Sequence, residues 1–388
     1  MTRIAFVCHD GLSTLIFARW YASQFRGRPD IRFYTISSRD QYASEVDALG
    51  SEHIEIATDR FVHPVRDLLY WWALYRACRR ERFDVVVTFG TKPNIYGPLA
   101  ARLARSPRVV MAVRGLGRAF NEPVTFVDRL LAWVLHGLYR LSCACADRVW
   151  FTTEHDRDYM VSRGMVAADR TFVTTNSVDP TYFSMADASA SDLLALRREL
   201  HIAPDDLVVV MVARMLWLKG IAEFVAAARD VRAMHPHVRF VLVAPLEDGS
   251  PNAVPAEYLA DAQKSGDVIW LGFRKDVREI YQIADIAVLP SYYKEGGYPR
   301  ALLEPMALGK PVIAADTREC RGPVEPDHNG FLVPPRDAAA LAARITQLVS
   351  DPALRERFGV RSRQIVLERF ADAIVGREVL AEIGVAAA

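Results

Sequence analysis

The sequence predicts an α/β protein that is built from two doubly wound domains. Short apolar segments rich in β-branched residues alternate with amphipathic helical patterns, which is typical of βαβ units and a parallel sheet. The alternation stops once, in the small and polar residues 184–191, and then begins again. A chain of 388 residues is long enough for two such domains.

The first series of elements indicates a domain at 1–183. Its strands are predicted where an apolar run ends in glycine or polar residues, at 3–7, 32–36, 84–88, 109–113, 148–152 and 171–175. Helical periodicity covers 14–25 and 65–82. A turn at Asp179 and Pro180, and the polar run that follows it, mark a linker that we place at 184–204.

The second series indicates a domain at 205–365. Its predicted strands lie at 207–212, 239–243, 268–271, 286–290, 312–314 and 330–333, with helices at 220–234, 276–283, 302–308 and 338–349. Residues 353–383 predict one further helix, and we expect the C-terminal helical segment 366–388 to pack back on the first domain. Ligands of such domains bind at the carboxyl ends of the strands, so site residues are expected in loops after strands, facing a cleft.

Composition limits the class of protein. Hydrophobic residues make up 51% and charged residues 24% of the chain, which excludes a disordered chain, a collagen-like chain and a coiled-coil rod. The net charge of +1 argues against nucleic acid as the main partner. However, residues 1–177 contain 24 Lys and Arg against 18 Asp and Glu, while 178–388 contain 24 against 29. The basic first half suits an anionic membrane or a phosphorylated acceptor, or it is chance scatter.

The chain is expected to be cytoplasmic, with any membrane contact peripheral. Its N-terminal apolar run is too short for a signal peptide, and no apolar stretch approaches the ~18 residues of a membrane span. The odd number of cysteines, five, predicts reduced thiols. The helix at 66–82 carries Trp71 and Trp72 before a run of arginines. It is either an interfacial helix or, as we favour, a core-facing helix whose cations complement its dipole.

The loop after the strand at 207–212 contains two cations, Arg214 and Lys219, just before Gly220 and a helix. An arginine fork and a lysine point charge at a strand end can hold a diphosphate. Two surface cations at a helix start are the alternative interpretation.

The run 291–314 follows another strand and contains a second candidate cluster. Gly296 and Gly297 allow a ligand to approach the backbone, and Pro299 suits the first turn of a helix. The free N–H groups of that helix start can bind an anion. Glu304 lies one helical turn further, where its carboxylate can accept two sugar hydroxyls. This combination suits a nucleotide sugar, whereas solvated glutamates on a surface turn are the alternative.

Three loops of the first domain put small and polar groups at strand ends. Gly11 follows the first strand and is expected to approach phosphate. The segments TKPNIYG (91–97) and RGLGRAF (114–120) follow two further strands. The cations in them that can meet phosphate, unless they serve ordinary loop chemistry, are Lys92, Arg114 and Arg118.

Other catalytic signals are weak. His9 and His155 follow strands, but hydrogen-bonded loop histidines are the commoner case at such positions. The sequence contains no HExxH motif, P-loop, nucleophile elbow or suitably placed GxGxxG. No carboxylate cluster suggests a metal site.

Together these segments resemble the retaining glycosyltransferases of family 4, which have the GT-B fold of two Rossmann-like domains facing each other across a cleft. The resemblance is closest to the bacterial capsular and exopolysaccharide branch, which includes transferases for lipid-linked oligosaccharides. It covers nearly the whole chain, and 291–316 is its most specific part. The matching strings are TKPNIYGPLAARLA, RGLGRAF, NSVDPTYF, ARMLWLKGIAEFV, WLGFRKDV, LPSYYKEGGYPRALLEPMALGKPVIAAD and NGFLVPPRD.

The resemblance implies roles for the candidate residues. Arg214 and Lys219 would bind the donor diphosphate, and Glu304 would hold the ribose hydroxyls. Glu295 would face the donor hexose and help position it, so Glu295, Arg214 and Lys219 are the candidate catalytic residues. The turn that completes this donor site contains Gly296, Gly297, Tyr298 and Pro299.

Two further contacts are implied. The backbone near Arg274 would meet the nucleobase, and Gly11 would approach the phosphates from the other domain. No metal or other cofactor is implied, because protein cations and helix N-termini stabilise the departing diphosphate.

The sequence departs from the family pattern at three places. The two glutamates, 295 and 304, are nine positions apart instead of the usual eight, which indicates one inserted residue in the GGY turn. The RGLGRAF segment has no histidine where many relatives place one, so no catalytic histidine is implied. Gly322 follows Cys320 and Arg321 where this branch commonly has glutamate.

The predicted function is the transfer of a hexose or N-acetylhexosamine from a nucleotide sugar, expected to be UDP-linked, with retention of configuration. The acceptor is a sugar hydroxyl of a lipid-linked or polysaccharide glycan. A polyprenyl-diphosphate-linked acceptor would suit the basic first domain and the helix at 66–82. Two alternatives remain: a sugar-nucleotide epimerase, which needs no acceptor, and a catalytically silent sugar-nucleotide-binding protein.

Overall fold

The computed structural model describes residues 1–59, 63–116, 126–186, 188–247, 250–293 and 296–386, without the side chains of 126–128 and 130–132. The chain forms two compact units. Unit 1 consists of Met1–Thr175 together with Ala373–Ala388, and unit 2 consists of Asn176–Asp372. Each unit contains a parallel sheet with helices between its strands, so the predicted fold class is confirmed.

Unit 1 contains a seven-stranded sheet in the order β3-β2-β1-β4-β5-β6-β7, and all neighbouring strands are parallel. The strands are β1 (Thr2–Val7), β2 (Ile31–Ser37), β3 (Glu52–Glu55), β4 (Val85–Phe89), β5 (Arg108–Val113), β6 (Arg148–Phe151) and β7 (Thr171–Val173). The helices are α1 (Gly11–Phe25), α2 (Ala43–Asp47), α3 (Pro64–Glu81), α4 (Thr91–Leu103), α5 (Phe126–Cys145), α6 (Glu154–Ser162) and the C-terminal α14 (Asp372–Ile383).

Both faces of this sheet are covered, which is why its central strands are nearly continuous apolar runs. In β1, Phe6 is buried in one core and Val7 in the other. The C-terminal helix α14 contributes Val379, Leu380 and Ile383 to the core that contains Phe6. The last helix of the chain therefore packs in unit 1.

Unit 2 contains a six-stranded parallel sheet in the order β10-β9-β8-β11-β12-β13. The strands are β8 (Leu207–Val212), β9 (Val238–Val243), β10 (Ile269–Trp270), β11 (Ile286–Leu289), β12 (Val312–Ala315) and β13 (Gly330–Val333). The helices are α7 (Ala190–Glu199), α8 (Ile221–Met234), α9 (Ala256–Lys264), α10 (Val277–Ile283), α11 (Arg300–Ala307), α12 (Ala338–Ser350) and α13 (Pro352–Ile365).

The central strands of unit 2 also bury both faces. In β8, Val208 and Val210 belong to one core, while Val209 and Met211 belong to the other. In each unit the strand order reverses beside the first strand, between β1 and β4 and between β8 and β11. Ligands of doubly wound sheets bind outside the carboxyl ends of the strands at such a switch point. The loops after β8 and β11 are therefore the first place to look for a site in unit 2.

The segment 184–204, which the sequence predicts as a linker, contains α7. Leu196 on this helix is buried in one of the two cores of unit 2. Ser189 begins the helix as its N-cap and accepts a hydrogen bond from the backbone N–H of Asp192. A serine cap and a buried leucine make this segment part of the unit.

The prediction of one helix over 353–383 is wrong, because the chain is extended at Ala371. Helix α13 is followed by a π-helical turn, Val366–Phe370, and Ala371 has a ψ of +138°. The backbone N–H of Val178 donates to Phe370 at 3.0 Å, and that of Asp372 donates to Val178 at 2.9 Å. This pairing uses the backbone groups that a continuous helix would need.

Candidate functional site

The loop after β8 turns back sharply against the end of β11. It forms the 3-10 turn Trp217–Lys219, which ends at Gly220 with a φ of +81°. A Cβ at position 220 would lie under 3.0 Å from the carbonyl oxygen of Pro290. The backbone N–H of Tyr292 donates to the carbonyl of Leu218 at 3.0 Å. Glycine thus permits the close approach of the loops that follow β8 and β11.

The two predicted cations of this loop share one aromatic partner. The guanidinium carbon of Arg214 lies 5.1 Å from the centroid of the Tyr293 ring, and Nζ of Lys219 lies 4.7 Å from it. Lys219 is 8% exposed, whereas the side chain of Arg214 is 46% exposed. Since a ring face attracts cations, Tyr293 holds both at the switch point.

Glu247, in the loop after β9, belongs to the same cluster, although it is not among the residues predicted from the sequence. Its Oε1 lies 3.8 Å from a guanidinium nitrogen of Arg214, and its side chain is 13% exposed. The carboxylate partly offsets the positive charge of Arg214 and helps to orient its side chain. Its position in a loop directly after a strand could have identified Glu247, because the same kind of position identified Arg214.

The turn between β11 and α11 is described only in part. Glu295, the candidate for positioning the donor hexose, lies outside the described residues. Gly296 is partly buried and Gly297 is buried, and Gly297 has a φ of +113°, a conformation that favours glycine. Helix α11 begins at Arg300, so Pro299 is its N-cap residue instead of a member of its first turn.

Tyr298 packs where a side chain at position 322 would otherwise stand. Its ring centroid lies 5.5 Å from that of Phe370, edge to face. A Cβ on Gly322 would come under 3.0 Å from three side-chain atoms of Tyr298. The backbone carbonyl of Tyr298 accepts a hydrogen bond from Nδ2 of Asn176 at 2.8 Å. Tyr298 in the turn and the glycine at 322 are therefore parts of one packing arrangement.

Glu304 lies on α11, one turn from its start, and faces Arg300. Nε of Arg300 donates to Oε1 of Glu304 at 3.0 Å. The side chain of Glu304 is 14% exposed, and this burial raises its pKa, while the charge and hydrogen bond of Arg300 act to lower the pKa. The ionised carboxylate can accept several hydrogen bonds, including those of sugar hydroxyls.

Pro305 follows Glu304 inside α11, and its missing N–H leaves the carbonyl of Ala301 without its helical donor. The hydroxyl of Tyr281 on α10 donates to this carbonyl at 3.4 Å. Helix α11 is thus tied to α10 at the turn that carries Glu304.

Arg274 follows β10, and its guanidinium is engaged by two carboxylates. Nε and Nη2 donate to Asp276 at 2.8 and 2.6 Å, and Nη1 donates to Glu199 at 2.7 Å. These partners raise the pKa of Arg274 above its usual value. The side chain of Arg274 therefore stabilises the conformation of its own loop. The predicted nucleobase contact involves the backbone near Arg274 and not this side chain.

In unit 1, the amide of Gly11 is engaged by a carboxylate. Gly11 is the first residue of α1, and its N–H donates to Oδ2 of Asp40 at 2.9 Å. The N–H of Ser13 donates to Oδ1 of Asp10 at 2.7 Å. Two acidic side chains thus accept hydrogen bonds from the helix N-terminus at which phosphate was predicted from the sequence.

Lys92 has a structural partner, and the expectation that it meets phosphate from a loop is wrong. The segment 91–97 is the beginning of α4 and not a loop. Lys92 is 8% exposed, and its Nζ lies 2.5 Å from Oδ1 of Asp67 on α3. A buried ion pair of this kind ties α4 to α3.

The remaining cations predicted at strand ends of unit 1 are Arg114 and Arg118. The guanidinium carbon of Arg114 lies 5.0 Å from the ring of Phe17 and 4.8 Å from that of Trp150. Arg118 lies outside the described residues. Arg114 is therefore held between two aromatic faces at the end of β5.

Helix α3 packs one side on the core of unit 1 and exposes an apolar strip on the other. The exposed residues are Val65 (65% exposed), Leu68 (63%), Leu69 (61%) and Trp72 (49%), which we call the α3 apolar face. The arginines exposed beyond it, towards the end of the helix, are Arg76, Arg79 and Arg80. The core-facing interpretation thus describes the buried side of α3. That the exposed side is interfacial stays a prediction.

Among the described residues, no group of three or more His, Cys, Asp or Glu side chains could hold a metal ion. In the same parts of the chain, every helix is too short or too polar to span a bilayer. The five cysteines are free thiols, and four of them are buried.

Two family models match the chain. The model described as glycosyl transferase 4-like domain matches residues 14–177, and the model described as glycosyl transferases group 1 matches residues 194–365. The two matched segments fall almost entirely in unit 1 and unit 2, respectively.

Individual relatives agree with these models. An N,N'-diacetylbacillosaminyl-diphospho-undecaprenol alpha-1,3-N-acetylgalactosaminyltransferase of Campylobacter jejuni is 28% identical over 94% of each chain. A UDP-Gal:alpha-D-GlcNAc-diphosphoundecaprenol alpha-1,3-galactosyltransferase of Escherichia coli is 27% identical over 76% of this chain and 74% of its own. The crystal structure of Anabaena HepE in complex with UDP-glucose superposes with a TM-score of 0.77 at 19% identity, covering 99% of this chain and 100% of that chain. Nothing in the comparisons supports the epimerase alternative.

Replacing Gly322 by alanine should displace the Tyr298 ring, because the new Cβ and the ring cannot occupy the same space. We expect the free energy of unfolding to fall by about 1–3 kcal/mol, as for overpacked sites. Urea unfolding measures this.

The matched control is Gly137→Ala on α5, where a Cβ would meet nothing within 4 Å. It should leave stability unchanged or raise it slightly. The Tyr298→Ala and Gly322→Ala changes together should cost less than the sum of the two. A Gly322→Ala protein as stable as the Gly137→Ala protein would contradict this packing.

Proposed function

The chain is a glycosyltransferase that belongs to the glycosyl transferases group 1 family and has the GT-B fold, and we propose that it uses a nucleotide sugar as donor. The transferred group is a hexose or N-acetylhexosamine, and it reaches a sugar hydroxyl of a lipid-linked acceptor with retention of configuration. The observation that carries the donor proposal is the cluster of Arg214 and Lys219 at the switch point, beside the loop that leads to Glu304.

The donor diphosphate binds to Arg214 and Lys219 in this proposal. One guanidinium fork and one ammonium can each donate charge-assisted hydrogen bonds to phosphate oxygens. Because Tyr293 already holds the two cations together, little ordering is required when the ligand binds. The negative charge of the diphosphate also offsets the desolvation cost of the buried Lys219 ammonium.

The nucleoside binds to α11 and the loop after β10. Glu304 accepts the two ribose hydroxyls, and the backbone near Arg274 meets the base. Glu295 positions the hexose, as the resemblance to family 4 implies. A UDP-linked donor is favoured, because the Escherichia coli relative is named for UDP-galactose and the Anabaena structure holds UDP-glucose.

Transfer breaks the bond between the anomeric carbon and the diphosphate oxygen while the acceptor oxygen bonds to the same carbon from the same face. The proton of the acceptor hydroxyl passes to the departing phosphate oxygen. Negative charge grows on the diphosphate, and Arg214, Lys219 and the amides at the start of α11 stabilise it. These groups supply the charge stabilisation that a metal ion would otherwise give, so we propose that the reaction needs none.

Removing a cation from the cluster should weaken UDP binding more than uridine binding. We expect Arg214→Ala to raise the dissociation constant for UDP about 10-fold or more, since charged hydrogen bonds are lost. Uridine, which lacks phosphate, should be affected little. Titration calorimetry of both ligands measures this, with Lys264→Ala, an exposed cation at the end of α9, as the control.

Transfer itself is tested with UDP-sugars and a sugar-diphospho-undecaprenol acceptor in the presence of EDTA. The product should retain the anomeric configuration of the donor, as nuclear magnetic resonance shows, and EDTA should not lower the rate. A protein that binds no nucleotide, an inverted product, or an Arg214→Ala protein with unchanged UDP affinity would contradict the proposal.

The acceptor proposal rests on unit 1. The α3 apolar face exposes three aliphatic side chains and a tryptophan, and arginines follow it on the same helix. Such a helix suits the interface of an anionic membrane, with apolar residues in the acyl region and arginines at the headgroups. Both curated relatives are named for undecaprenyl-diphosphate-linked acceptors. We propose that the enzyme meets its acceptor at the inner face of the cell membrane.

Acidic substitutions in the α3 apolar face should abolish membrane binding without affecting the donor site. We expect Leu69→Glu with Trp72→Glu to lose cosedimentation with vesicles of phosphatidylglycerol, because two charges would have to enter the interface. UDP affinity should stay unchanged. The control is Val360→Glu, which alters a residue 56% exposed on α13 in unit 2. Equal vesicle binding by wild type and the α3 variant would refute this surface.

A further inference from the structure

Arg300 and Glu304 form an ion pair that is anchored beyond α11. Nε of Arg300 donates to Oε1 of Glu304, and Nη1 of the same guanidinium donates to the carbonyl of Ser177 at 3.0 Å. The side chains of Arg300 and Glu304 are 31% and 14% exposed. An ordinary surface pair one turn apart would have neither the burial nor the third partner.

The segment that receives Arg300 is itself fixed. Ser177 lies between Asn176, whose Nδ2 donates to the carbonyl of Tyr298, and Val178, which pairs with the backbone around Phe370. Arg300 therefore joins Glu304 to a backbone segment that is also paired with the chain around Phe370, away from α11. From this anchored position the guanidinium orients the carboxylate.

In the part of the chain that the structure describes, few charged groups act on Glu304. Among the described residues, Arg300 is the cation that lowers the pKa of Glu304, and the charge of Glu304 helps to raise the pKa of the buried Tyr281 on α10. The cations on the elements behind α11 have other partners, since Arg363 on α13 donates to the carbonyl of Ala307 and Arg369 donates to that of Gly322 at 3.2 Å. Burial raises the pKa of Glu304, and Arg300 is the group that opposes this rise.

We propose that Arg300 is a positioning residue of the donor site, which holds Glu304 as an oriented carboxylate that accepts the ribose hydroxyls. The inference rests on the proposed function, because it needs Glu304 to contact the ribose. A carboxylate can accept about four hydrogen bonds. Arg300 donates to one carboxylate oxygen of Glu304, so the carboxylate can still accept hydrogen bonds from two hydroxyls.

Without Arg300, the pKa of Glu304 rises further, and the carboxylate is protonated at a higher pH. A protonated carboxyl is a poorer acceptor for two hydroxyls, so UDP affinity should fall as pH falls through this pKa. The decline should therefore begin at a higher pH in Arg300→Met than in wild type. Glu304→Gln, which does not titrate, should lack this decline.

The experiment measures UDP and 2′-deoxy-UDP dissociation constants against pH for wild type, Arg300→Met, Arg300→Lys, Glu304→Gln and the double variant. We expect Arg300→Met to weaken UDP about 10-fold at neutral pH and to reduce the preference for UDP over 2′-deoxy-UDP. Arg300→Lys keeps the charge and should keep the wild-type pH profile with some loss of affinity. The double variant should bind like Glu304→Gln, since Arg300 acts through Glu304.

The control is Arg344→Met, which removes one cation from the exposed side of α12 in the same unit. It should bind UDP like wild type. Additive losses in the double variant, or an Arg300→Met protein with the wild-type pH profile and preference, would overturn the inference while leaving the donor site in place. A wild-type protein that binds no UDP would overturn the proposed donor site itself.

Discussion

The close approach of Gly220 to the carbonyl of Pro290 is the constraint on which the candidate donor site depends. It brings the loop after β8 against the end of β11, so that Arg214 and Lys219 meet the ring of Tyr293. A side chain at 220 would push the loops apart and separate the cations from the turn that leads to α11. The switch point of the sheet lies between these same two strands. Gly220 therefore allows the candidate site residues to gather where ligands of such sheets bind.

The order of most strands could be predicted because parallel strands buried on both faces are apolar runs, whereas the short β3 was missed because its residues are not buried. The bounds of β8 and β13 follow from such runs alone. Helix α4 was missed since its first turns contain Pro93 and Gly97, which are typical of loops, while its stability comes from packing. The break at Ala371 was missed for a similar reason. It depends on pairing with Val178, nearly two hundred positions away in the chain.

In the candidate site, too, local patterns could be predicted from the sequence and long-range contacts could not. Arg214, Lys219 and Glu304 could be proposed because each stands in a loop or helix directly after a strand. The contacts of Arg300 with Ser177 and of Tyr298 with the space over Gly322 join distant parts of the sequence, so no local pattern reveals them. Lys92 gave a misleading signal, because its partner Asp67 lies on another helix. Local patterns locate charged groups, but tertiary contacts decide which of them are already paired.

In the proposed function the donor diphosphate binds to unit 2, although Gly11 in unit 1 is a further predicted contact. The N–H of that glycine already donates to Asp40, so the proposal gives the main binding role to the two loops of unit 2. Hydrogen exchange with mass spectrometry, with and without UDP, tests this most directly. We expect UDP to slow exchange in peptides covering 213–220 and 296–304. Slower exchange confined to residues 10–14, with those two segments unchanged, would contradict it.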